Sequence, residues 1–261
     1  VGALTIGKAL PYLIKVLGGA TLGSVVMGAS LAGWLASLIV LWRYEDGPFI
    51  YKRSAFAWSR VGRILRHRET MLATGGYLGH MWELYAMWTW VPAFLAFSAS
   101  GRVSSSSIDV AAFAAIAAGG LGCVGGGLAA DRIGRAMVVN SAMTVSGICC
   151  VVIGFLTSAP FWIVAAVTIV WGFFVVADSA QFSAIVTEVA PEDSVGTALM
   201  IQTSLGFLLT MVTIQALPIA VDTVGWGWAF TLLSLGPAFG ISSIRRLVRI
   251  RRLPSLDILK G

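Results

Sequence analysis

Eight apolar tracts dominate this chain, at 1–17, 22–42, 70–97, 108–129, 136–157, 160–187, 195–219 and 224–247. All but the first reach the ~20 residues that cross a hydrocarbon layer as a helix. A soluble domain needs about 25% charged residues to cover its surface. Here only 11% are charged and 57% are hydrophobic, with a mean hydropathy of +0.87. No water is available in a bilayer to satisfy backbone groups, so each tract is expected as a helix despite its glycines. The class that follows is an all-α integral membrane protein whose first partner is the lipid bilayer.

The net charge of +6 could suggest nucleic acid, but its distribution excludes that reading. Fifteen of the 18 lysines and arginines fall on one side of the membrane once the tracts are threaded back and forth. Arg43, Lys52, Arg53, Arg60, Arg63, Arg66 and Arg68 lie between tracts two and three, and Arg132 and Arg135 between four and five. Arg245, Arg246, Arg249, Arg251, Arg252 and Lys260 follow the last tract. Basic residues concentrate in cytoplasmic loops, so the C-terminus is expected in the cytoplasm of a multi-pass protein of the inner (plasma) membrane. Lys15 and Arg102 fall on the opposite side, and Lys8 lies within the first tract. Cys123, Cys149 and Cys150 lack metal-ligand spacing and read as small apolar fillers. Two histidines are too few for a histidine-rich metal site, and no cofactor is expected.

The connector "SAFAWSRVGRILRHRE" places Phe56, Trp58, Val61, Ile64 and Leu65 at helical spacing. It reads as an amphipathic helix lying on the inner membrane surface, with a solvated basic linker as the plainer alternative.

At the end of tract four stands "GGGLAADRIGRAMVV", in which Gly127, Asp131, Arg132, Gly134 and Arg135 form the pattern G-x-x-x-D-R-x-G-R. This resembles the signature loop of the major facilitator superfamily of secondary transporters, in the copy between its eighth and ninth helices. Ala136 stands where the family often has another basic residue. The resemblance covers essentially the whole chain and implies eight helices of an expected twelve, beginning inside helix five. Residues 1–43 would then be the end of the N-terminal bundle, 44–69 the cytoplasmic linker, 70–247 the C-terminal six-helix bundle and 248–261 the cytoplasmic tail. It also implies a missing N-terminal half. Asp131 would sit near the start of the eleventh helix, around Ser194–Thr197. Arg132 and Arg135 would meet Glu188, Glu192 or Asp193 and latch the cytoplasmic side, unless they are ordinary topology-setting charges.

Tract three, "GGYLGHMWELYAMWTWVPAFLAFS", holds two ionisable groups near its middle. His80 and Glu83 are three apart and share a helix face, within a stripe of Tyr77, His80, Glu83, Met87 and Trp90. A lone carboxylate at that depth is costly when charged, so it must hold a proton or find a partner, and intramembrane ionisable groups are functional by default. Asp178 sits about one turn from the centre of the tract 160–187, with Gln181 on the same face. The resemblance implies that both helices line a central cavity, with Glu83 and Asp178 across water from one another and Tyr85, Trp90 and Gln202 as substrate contacts. Two ligands without convergent others do not make a zinc site.

The expected function is a secondary active transporter, driven by protons, for a small polar or anionic solute, rather than an enzyme. The alternatives are an inactive or partner-dependent transporter remnant and a membrane-embedded enzyme. Tracts three and six contain histidine and serine, but the sequence gives them no third orienting partner and no G-x-S-x-G elbow.

Overall fold

The computed structural model describes residues 2–16, 22–45 and 58–257, and the regular structure among them is entirely helical. In chain order the helices are α1 (Gly2–Val16), α2 (Leu22–Arg43), α3 (Trp58–Arg66), α4 (Arg68–Ala99), α5 (Ser105–Ile133) and α6 (Arg135–Ile153). They continue as α7 (Phe161–Ala177), α8 (Ser179–Val189), α9 (Val195–Val224), α10 (Trp226–Ala229) and α11 (Leu235–Asp257). Lys52, Arg53, Phe56 and Lys260 lie outside the described residues.

Among the described residues six helical stretches are long and apolar enough to cross a membrane: Val26–Arg43, Ser105–Ile133, Arg135–Leu156, Phe161–Val189, Glu192–Val224 and Trp226–Arg251. The sequence led us to expect eight, and composition explains the difference. With 15 residues α1 is short of a span. At 32 residues α4 is long enough, but its glycines, tryptophans, tyrosines, His80 and Glu83 lower its hydropathy.

Despite that composition α4 occupies the centre, packed by α5, α7, α8, α9 and α11. Both its ends are built locally. His67 precedes it, the ring Nδ1 accepting from the Thr70 amide at 3.4 Å. At the far end Ser100 turns the chain with φ 47°. Arg102 donates to the carbonyls of Ser98 (2.7 Å) and Ala99 (3.3 Å), the usual basic complement to a helix C-terminus.

Glycine lets the helices close. On α5, Gly122 and Gly126 press against the backbone carbonyls of Phe173 and Ala177, and on α7 Gly172 presses against that of Ala115. A β-carbon at any of the three would overlap main chain. Gly79 meets Gly236 and Gly240 in the same way between α4 and α11. Small residues of this kind give membrane helices the close approach that dispersion requires.

Two apolar cores result. One gathers Phe94, Ile116, Ile153, Trp171 and Phe230, with the Trp171 and Phe230 rings edge-on at 5.2 Å. The other, toward the end that carries Arg63, Arg135 and Arg251, gathers Ile64, Ala73, Met143, Phe182 and Ile244. Helix α1 packs on α5, adding Ala9 to the first core, and its Lys15 reaches Asp109 at 3.9 Å. None of the described side chains of α2 is buried, and this helix packs on α1.

Three elements carry detail beyond the expectation. Helix α3 is amphipathic, but it does not simply lie flat on a surface: Ile64 is fully buried in the bundle, α3 packs on α4 and α9, and Arg63 donates to Asp193 at 2.7 Å. Trp58 and Leu65 remain exposed. The tract 160–187 forms one membrane-length stretch, Phe161–Val189, whose helix is interrupted at the single residue Asp178, between α7 and α8. The last helix, α11, follows a short α10 and a 3-10 turn at Phe230–Ser234 and continues to Asp257, so the start of the expected tail is helical.

Candidate functional site

Between the two cores lies a layer of buried polar side chains. Glu83, at the middle of α4, is 1% exposed. Its Oε1 accepts from the Trp171 indole at 2.6 Å and from the Cys150 thiol at 3.1 Å, and its Oε2 accepts from the Ser146 hydroxyl at 3.0 Å. The donors come from α6 and α7. All three are neutral, and among the described residues no lysine or arginine reaches the carboxyl group. The Ser146 hydroxyl has a second acceptor, the Met143 carbonyl 3.3 Å away.

One turn earlier on α4, His80 is also enclosed. Its Nδ1 lies 3.0 Å from Asp178 Oδ1, and its Nε2 lies 3.0 Å from the Ser179 hydroxyl. The Asp178 contact is at ion-pair distance but off the line of a directed hydrogen bond, so that oxygen has no hydrogen-bond donor among the described residues. Asp178 and Ser179 form the junction of α7 and α8, and Phe182 of α8 packs its ring 5.2 Å from the imidazole.

The expected arrangement of these groups across water is therefore not found. Glu83 and Asp178 are 1% and 2% exposed, and each is held by protein groups. Trp90 is a tie between helices, its indole donating to the Ile214 carbonyl of α9 at 3.0 Å. Tyr85 stacks edge-on with Trp88 and Phe207. Gln202 is buried on α9, and neither amide atom has a hydrogen-bond partner among the described residues. Cys150, read from sequence as a filler, is a donor to Glu83. Ser146, Trp171 and Ser179 carried no signal of their own, although Trp171 and Asp178 stand two helical turns apart along one tract.

Gln181 belongs to a different group. Arg135, the last residue of the glycine-arginine motif, donates to the Gln181 side-chain oxygen at 3.1 Å and to Glu188 at 2.7 Å. One guanidinium thus holds two turns of α8. Gly134 makes this possible, since it is the single residue between α5 and α6 and adopts φ 86°, a left-handed value that favours glycine. Of the carboxylates expected for the motif arginines, Glu188 pairs with Arg135 and Asp193 with Arg63 of α3. Asp131 lines a cavity of about 970 Å³ whose walls come from α5, α6, α8 and α11. Arg132 is exposed, and a β-carbon at Gly127 would meet open space.

The two bonds of Arg135 differ in weight. Its side chain is 39% exposed and that of Glu188 50%, so their ion pair is worth roughly 0.2–1 kcal/mol. Gln181 is 3% exposed, and leaving such an acceptor unpaired costs about 1–3 kcal/mol. Arg135→Ala is accordingly expected to lower the melting temperature more than Glu188→Gln in detergent-solubilised protein. Equal losses would show that the Gln181 bond contributes nothing.

Compared with known proteins, the chain matches no family model and no curated protein sequence.

Proposed function

We propose that this protein is a secondary active transporter of the major facilitator type, coupling proton movement to that of a small polar or anionic solute. One observation carries the reading: a fully buried carboxyl group, Glu83, is met by three neutral donors and no cation. A carboxylate kept for structure alone would ordinarily be paired with a base, because burying an unpaired charge is expensive. The surroundings of Glu83 suit both of its protonation states. Ionised, it accepts from Ser146, Cys150 and Trp171. Protonated on Oε2, it donates to the Ser146 oxygen, whose own hydrogen rotates to the Met143 carbonyl. A single hydroxyl rotation therefore leaves no buried donor or acceptor orphaned in either state, and one orphan alone costs about 1–3 kcal/mol. His80, one turn away, offers a second proton-holding group tied to Asp178.

In this reading the arginine-rich end faces the cytoplasm of the inner membrane, and the Arg135–Glu188 and Arg63–Asp193 pairs hold that end closed. Alternating access also calls for a second bundle opposite this one. The test is solute-driven proton movement into proteoliposomes of the full-length protein, followed with an internal pH dye across a panel of small polar and anionic solutes. Proton entry with one solute class is expected, and a flat response to the whole panel would count against the proposal.

A second reading has its own observation. Ser179 Oγ, His80 and Asp178 form a chain of nucleophile, base and carboxylate, the order of parts in a serine hydrolase. Such a site would make the protein a membrane-embedded enzyme. Ser179 is 8% exposed, and the described cavities do not include it in their walls. A fluorophosphonate probe discriminates the two readings. The transporter reading expects no covalent adduct on Ser179 in native membranes, whereas stoichiometric labelling lost in Ser179→Ala would favour the enzyme.

A further inference from the structure

We infer that the cavity at the arginine-rich end is a binding site for the phosphate of an anionic glycerophospholipid. The cavity, about 970 Å³, lies between the ends of α5, α6, α8 and α11. Three guanidinium groups line it, those of Arg135, Arg245 and Arg251, against two carboxylates, Asp131 and Glu188. Arg135 and Arg251 are already engaged, with Glu188 at 2.7 Å and Glu69 at 3.6 Å. Arg245 has no ion-pair partner among the described residues, so its guanidinium is free to meet an anion, and Asp131 is the carboxylate of the same wall that likewise has none. Deeper in the wall the Asn140 side-chain oxygen is buried without a hydrogen-bond partner among the described residues, a polar position that a ligand hydroxyl can satisfy.

The mouth decides which anion fits. Ile133 and Met137 line the cavity and are 53% and 58% exposed. The exposed charged groups and these apolar side chains thus share one open wall, on the flank of helices long and apolar enough to sit in a membrane. A soluble anion gains nothing from the apolar part. A lipid places its phosphate and glycerol on the arginines and its acyl chains across Ile133 and Met137. Basic pockets of this kind at helix ends on the cytoplasmic side suit anionic headgroups. The phosphate would also compete with Glu188 for Arg135, loosening the hold of α6 on α8. The site itself does not depend on the transport reading.

The test compares thermal unfolding of the detergent-solubilised full-length protein with short-chain phosphatidylglycerol, short-chain phosphatidylcholine and inorganic phosphate, each at the same concentration. Phosphatidylglycerol is expected to raise the melting temperature well beyond the other two. Arg245→Gln is expected to leave the lipid-free melting temperature unchanged, because Arg245 holds no ion pair, while cutting the phosphatidylglycerol shift by more than half. Equal shifts with the two lipids would reduce the site to its apolar part and overturn the inference. An equal shift with inorganic phosphate would make it a free-anion site, and a full shift in Arg245→Gln would remove the arginine cradle. Either result overturns it as well.

Discussion

Replacing Glu83 by glutamine is expected to abolish solute-driven proton movement while leaving the bundle folded. The amide is nearly isosteric with the carboxyl group, and its oxygen can keep the Trp171 and Cys150 donors. Its nitrogen donates to Ser146, whose hydrogen turns to the Met143 carbonyl. The folded structure therefore loses no hydrogen bond that it cannot replace, and thermal stability should stay near that of the parent. What the amide cannot do is change charge. In proteoliposomes the variant should show proton flux at the level of empty vesicles. Glu83→Leu gives the contrast: Ser146 can turn to the Met143 carbonyl, but the buried Trp171 indole and Cys150 thiol are left unpaired at about 1–3 kcal/mol each, and the variant should be clearly less stable than Glu83→Gln. If Glu83→Gln moved protons normally, the carboxyl group would be structural and the coupling assignment would fall.

The second large effect concerns folding. Gly126→Val should eliminate the monodisperse protein, whereas Gly127→Val, one residue along, should be tolerated. At Gly126 the new β-carbon would overlap the Ala177 main chain, and no side chain is there to give way. Overpacking of ordinary cores costs about 1–3 kcal/mol, and a clash with a backbone carbonyl belongs above that range because α5 and α7 must part. Their separation would also move the residue beside Asp178. At Gly127 nothing lies within reach of the added carbon, and a surface change of this kind stays within about 0.5 kcal/mol. Size-exclusion profiles and melting temperatures in one detergent measure both. Similar behaviour of the two variants would show that the seam does not hold α5 against α7.

These expectations also mark how much could be read from residues alone. Tract length was enough to place α4, α5, α6, the stretch Phe161–Val189, α9 and most of α11, because its physical cause acts within one segment. Gly134 was legible as a turn for the same reason. The break at Asp178 was not: "FFVVADSAQFSA" continues a helical apolar pattern, and the junction is met by His80, far away in sequence. The partners of Glu83 were hidden in a similar way. Ser146, Cys150 and Trp171 are ordinary members of apolar tracts and become donors only when α6 and α7 are set against α4. Gln181 was assigned to a substrate cavity on helical spacing to Asp178. Spacing gives the face of a helix but not the neighbour that the face meets, and here the neighbour is Arg135.

The junction at Asp178 has a mechanical meaning. Helix α8 is a segment of 11 residues beyond a one-residue interruption, held at one end by the Asp178–His80 and Ser179–His80 contacts and at the other by Glu188 on Arg135. At 1.5 Å per residue it is about 16 Å long, so a tilt of about 10° at Asp178 swings its far end by about 3 Å. The ion pair at that end spans 2.7 Å and does not survive such a swing. A shift of the imidazole large enough to tilt this segment would in this way be magnified by a lever arm into an opened contact at the surface.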